Sequence, residues 1–101
     1  MNDGLKERNR AKIRQVLASH PGVERAVLFG SRATGTYRPG SDVDLALAGD
    51  ALTHSDLGVI GAAMEATTVP QPVDLVLWNS IGNRVLADHI RTIGVEFYVR
   101  R

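Results

Sequence analysis

At 101 residues, 44% of them hydrophobic and 23% charged, the chain suffices for one compact domain and is too apolar and too evenly charged for a disordered one. Twelve Lys and Arg against eleven Asp and Glu leave a formal charge of +1, so net charge selects neither nucleic acid nor a membrane surface as partner. The absence of cysteine excludes a disulfide framework and a thiolate metal site.

From Asn2 or Asp3 to about Ser19 the apolar positions Leu5, Ile13, Val16 and Leu17 repeat with helical spacing, surrounded by Lys6, Arg8, Arg10, Lys12 and Arg14. The opening MNDGLKERNR has no apolar stretch of the signal-peptide kind, and no run approaches the roughly 20 apolar residues of a membrane span. A cytoplasmic protein with one domain over residues 1–101 is therefore expected. After the break at Ser19-His20-Pro21-Gly22, the run Arg25 to Phe29 reads as a buried strand ending at Gly30. The Gly and Pro cluster through Gly30, Gly35, Pro39 and Gly40 reads as a loop with room for a helical turn.

Val43 to Leu47 reads as a second strand, with Val43, Leu45 and Leu47 facing a core and Asp42 and Asp44 the other way. Thr53 and Asp56 form a capping-box pattern before a helix that Pro70 and Pro72 bring to a stop. Val73 to Leu77 is a third strand, and Pro72 suits an edge position. A final helix is predicted over Ser80 to Ile93 with Gly94 as C-cap, then an extended segment from Val95 to Arg101. The segments VDLAL and VDLVL share one pattern, so Asp44 and Asp74 occupy matching places. If these strands are neighbours, three carboxylates converge on one face.

Between Arg38 and Arg84 there is no Lys or Arg but six acids, a zone that repels phosphate unless a cation intervenes. Residues two apart on a strand point the same way, about 6.5–7 Å between Cα atoms, so Asp42 and Asp44 can close on one hard cation. Magnesium suits them, since it takes a few carboxylates and completes its octahedron with water and substrate phosphates. Asp74 can hold a second ion or orient an attacking hydroxyl. Gly30 and Ser31 directly follow a buried strand, where free backbone N–H groups can meet an anion, and Arg32 adds a bidentate fork. Ser41, next to Asp42, is counted with this nucleotide-binding group. The spacing fits neither the dinucleotide fingerprint, nor a P-loop, nor an EF-hand loop.

Taken together, LFGSRATG, SDVDLAL and VDLVLW resemble the smallest branch of the polymerase beta-like nucleotidyltransferase superfamily, the minimal nucleotidyltransferases. The ending IRTIGVEFY is similar to the family's terminal segment, so the resemblance spans nearly the whole chain; Thr34 stands where many relatives carry a second Arg. It implies an α/β (α+β) nucleotidyltransferase fold, a small mixed sheet with helices packed on one side. It further implies that Gly30 and Ser31 bind triphosphate, that Asp42 and Asp44 bind Mg2+, and that Asp74 is the third catalytic carboxylate. The expected reaction moves AMP from ATP to a hydroxyl. Members of this branch pair with HEPN ribonuclease toxins and several act as antitoxins by adenylylating a toxin tyrosine, which makes a HEPN protein the expected partner. The alternatives are a non-catalytic binding antitoxin and an enzyme acting on an aminoglycoside-like hydroxyl, the latter requiring a homodimer to complete its cleft.

The remaining features have plainer readings. The basic cluster before Gln15 reads as a solvated helix face, because no aromatic residues are interleaved to stack on bases, and nucleic acid is not an expected partner. Arg38 reads as an exposed loop residue. His20, His54 and His89 lack metal-ligand spacing, and Trp78 and Tyr98 read as core or interface residues.

Overall fold

The computed structural model describes residues 3–101. Four helices and four strands follow one another as α1 (Glu7–Ala18), β1 (Arg25–Phe29), α2 (Ser31–Thr34), β2 (Val43–Ala48), α3 (His54–Glu65), β3 (Val73–Leu77), α4 (Arg84–Ile93) and β4 (Val95–Val99). A 3-10 turn covers Trp78–Ser80. Among the described residues no helix is long and apolar enough to cross a membrane.

The strands form one mixed sheet in the order β3-β2-β1-β4. β1 runs antiparallel to β2 and β4, while β2 and β3 are parallel, joined by the α3 crossover that a parallel pair requires. β3 is an edge strand, as Pro72 suggested, and the Pro72 carbonyl accepts the Val43 N–H at 2.8 Å, which aligns the starts of β2 and β3. Alternation on the central strands makes the main core: Ala26, Leu28, Val43, Leu45 and Leu47 are buried against Ile13 and Leu17 of α1 and Ile60 and Met64 of α3. Each such Leu or Ile contributes about 1.5–3 kcal/mol through removal from water.

The helices do not all lie on one side. α1 and α3 cover the face just described, as the expectation of one-sided packing has it, whereas α4 lies on the opposite face, where Ile90 packs with Phe29 and Ala46. Val27 and Phe29 on β1 and Ala46 and Val76 on their neighbours supply the second apolar surface that α4 needs.

Two helix starts differ from the sequence expectation. The first helix was expected from Asn2 or Asp3; Asn2 lies outside the described residues, and α1 begins only at Glu7. Gly4, at φ +77°, turns the chain, and Asp3 accepts the Leu5 N–H at 3.0 Å. α4 begins at Arg84 rather than Ser80, because the Asn83 side chain caps Leu86 N–H at 3.1 Å while Trp78–Ser80 winds as a separate turn. Gly94 does end α4, though without the left-handed geometry typical of a C-cap glycine. A Cβ at Gly94 would collide with the Ile90 carbonyl oxygen and the Val27 side chain, so close approach is what calls for glycine there.

Candidate active site

Parallel pairing sets Asp44 opposite Asp74 in register, and Asp42 shares their face by the two-residue strand period. Each of the three can offer one carboxylate oxygen such that all lie within 4.8 Å of one another, with Asp42 and Asp74 exposed and Asp44 half-buried. Burial first, and then the negative charges of Asp74 and Asp42, push the Asp44 carboxyl above its ordinary value. Hard oxygen donors of one sign, this close, are what a divalent cation such as Mg2+ requires, and a cation is what removes their mutual repulsion.

Gly30 bounds the cluster on the β1 side. It has φ +76° and ψ −156°, a region essentially reserved for glycine, and a Cβ there would run into the Asp44 carboxylate. The glycine thus serves both the turn and the approach of the acid. Ser31 opens the short α2 with Gly30 as N-cap, and no side chain caps the first N–H groups of that turn. The structure therefore brings Gly30, Ser31, Asp42, Asp44 and Asp74 to one end of the sheet, on the rim of the face that α4 covers.

Arg32 is a different matter. Expected to meet phosphate, it is 1% exposed and turned into the protein. Its guanidinium donates to the carbonyls of Ser41 at 3.0 and 3.1 Å, Asp3 at 2.9 Å and Pro39 at 3.3 Å, and it stacks 5.0 Å from the centroid of Tyr37. A guanidinium so engaged is a fastener: it ties the loop carrying Asp42 to the turn carrying Ser31. Ser41, placed with the nucleotide-binding group by sequence, belongs to the same fastening. Its carbonyl serves Arg32 and its Oγ accepts the Arg38 N–H at 2.8 Å. Arg38 itself is exposed. Thr34 turns its hydroxyl toward the Gly30 and Ser31 carbonyls, both at 3.3 Å, and so braces the turn.

Sequence reasoning missed Asp3. Its side chain is 3% exposed and held by Arg10 at 2.5 and 2.7 Å. Burial alone would raise its pKa, but the Arg10 hydrogen bond and charge together with the Leu5 N–H hold the carboxyl below its ordinary value. The same residue's carbonyl receives Arg32, so the chain's first described residue supports the loop architecture of the site. No periodic pattern could reveal it, since Asp3 lies in a turn outside any helix or strand.

Residues 11–101 match the sequence profile of the family described as polymerase beta, nucleotidyltransferase. A search of curated proteins finds no match. Among solved structures, a toxin–antitoxin crystallised with AMP-PNP is 28% identical, with TM-score 0.73, covering 92% of this chain and 75% of that one. The toxin–antitoxin MntA–HepT is 25% identical, TM-score 0.69, covering 94% of this chain and 74% of that one. A complex of a tri-AMPylated Shewanella oneidensis HEPN toxin with an MNT antitoxin is 24% identical at TM-score 0.69, covering 95% and 74%, a likeness of fold.

Proposed function

The chain belongs to the polymerase beta nucleotidyltransferase family, and from that premise we propose that it transfers AMP from ATP to a hydroxyl of a partner protein, a tyrosine of a HEPN ribonuclease toxin. It thereby acts as the antitoxin of a pair, in the cytoplasm where ATP and magnesium are at hand. The observation that carries the reading is the in-register pairing of Asp44 with Asp74, with Asp42 beside them and all three within 4.8 Å. Similarity to the toxin–antitoxin structures, one holding AMP-PNP, supports the nucleotide and the kind of partner.

In this reading Asp42, Asp44 and Asp74 would hold Mg2+, which when bound neutralises charge on the phosphates and polarises the α-phosphorus. Gly30 and Ser31 orient the triphosphate: the glycine leaves room beside Asp44, and the uncapped N–H groups of the turn meet phosphate oxygens. Asp74, exposed on the edge strand, takes the proton of the incoming hydroxyl at a carboxylate oxygen. The hydroxyl oxygen bonds to the α-phosphorus, the bond to the bridging oxygen breaks, and pyrophosphate leaves. Arg32 positions this set from behind without touching the nucleotide.

Two of the three acids are exposed, so the site is open on the side from which a folded protein can present a side chain. The test is neutralisation of a co-expressed HEPN ribonuclease toxin in cells, followed by intact-mass measurement of the recovered toxin. Wild type is expected to neutralise it and to leave it heavier by one or more adenylyl groups, with Asp42→Asn doing neither. An unmodified toxin that Asp42→Asn still neutralises would replace this reading by stoichiometric binding.

A further inference from the structure

The cations of α1, with Lys6 just before it, fall into two groups. Arg10 and Arg14 are paired with Asp3 and Glu7. Lys6, Arg8 and Lys12 have no carboxylate partner among the described residues, and Lys12 donates only to the Thr68 hydroxyl. These three line a groove of about 780 Å³ that also includes Tyr37, Pro39 and Gln71 and has no acid in its walls. The side-chain oxygen of Gln71 is buried without a hydrogen-bond partner among the described residues. The groove adjoins the catalytic end of the sheet, since Pro39 precedes Asp42, and Gln71 precedes Asp74, by three residues each.

We propose that this groove seats an extended acidic segment of the acceptor protein, and that it fixes which protein is presented to the aspartates. Arg8 and Lys12 are four residues apart on α1, on one face and about 6 Å along the helix, which suits carboxylates on alternate residues of an extended chain, about 6.5–7 Å apart. Single-stranded nucleic acid needs a free aromatic platform. The groove's Tyr37 has the Arg32 guanidinium over its ring. The division of labour is physical: the acids of β2 and β3 repel an acidic partner, and the groove around the corner holds it by the opposite charge.

This inference rests on the partner being a protein, as proposed above, and can fail separately from the chemistry. The probe is a fluorescein-labelled dodecapeptide of alternating Glu and Ser, followed by anisotropy at low salt against the full chain. Charge reversal by Lys6→Glu, Arg8→Glu and Lys12→Glu together is expected to weaken binding at least tenfold. Arg14→Glu, in the paired group, should change it less than twofold. The neutral set Lys6→Gln, Arg8→Gln and Lys12→Gln repeats the test with residues that keep the helix, and circular dichroism checks the fold of each. Asp44→Asn is expected to bind the peptide at least as tightly as wild type, because the groove does not depend on catalysis. Peptide affinity indifferent to both sets of substitutions would overturn the inference, as would a labelled oligo-dT or tripolyphosphate that binds more tightly and is lost in the same variants. Loss of AMP transfer with the groove effect intact would instead strike at the chemistry.

Discussion

Asp44 is the residue at which fold and function pull apart. Burial, Asp74 and Asp42 all raise its pKa above the ordinary 3.8, so the fold favours its protonated form. For an acid shifted this way, ionisation weakens the metal-free fold. The penalty is complete above the folded pKa and vanishes as pH falls below the unfolded one. Asp44→Asn is therefore expected to stabilise the metal-free protein at pH 7 by about 0.5–2 kcal/mol, the range typical of relieved functional strain. The gain should fade toward pH 3.8, and transfer should fall on the order of 10²–10³-fold with the loss of an electrostatic group at the reacting centre. Urea unfolding at the two pH values measures the first part; a variant less stable than wild type at pH 7 would contradict it. The three aspartates were legible in the sequence because a strand period and a repeated VDL pattern encode their direction. Arg32 was not, because its partners are backbone carbonyls of Asp3, Pro39 and Ser41, and carbonyls leave no mark in a sequence.

At the scale of elements, every strand and long helix was readable from periodicity and punctuation. β1 and β3 have the predicted limits, and Thr53 and Asp56 form the predicted capping box. What periodicity could not supply was the side of the sheet to which each helix goes. α4 has one apolar stripe like any amphipathic helix, and only the arrangement of Phe29, Ala46 and Ile90 assigns it to the face whose far end carries the aspartates. That placement predicts that Ile90→Ala, which empties a position 3% exposed, destabilises the protein by about 2–5 kcal/mol. At a temperature where the variant is still folded, it should retain transfer activity, because Ile90 packs with Phe29 and Ala46 in an apolar cluster rather than belonging to the carboxylate trio. A thermal melt combined with an activity assay checks both; full stability with lost activity would mean that α4 belongs to the site itself.

Over the whole molecule, charge is sorted by region. The acids lie on one rim of the sheet and the unpaired cations of α1 lie around the corner, with Arg32 and the 35–41 loop between them. Neither region alone specifies a reaction; three convergent carboxylates beside a glycine turn, on a polymerase beta nucleotidyltransferase fold, point to nucleotidyl transfer. The central claim is that this site moves the α-phosphoryl group together with its nucleoside and releases the other two phosphates. The most direct measurement supplies the protein, Mg2+ and a HEPN toxin of the proposed kind with ATP labelled at the α-phosphorus, and in parallel with ATP labelled at the γ-phosphorus. The account predicts that the α-label alone becomes covalently attached to the HEPN protein, that the γ-label leaves in pyrophosphate, and that Asp44→Asn attaches the α-label on the order of 10²–10³-fold more slowly. Attachment of the γ-label, or α-label transferred by Asp44→Asn at the wild-type rate, would contradict it.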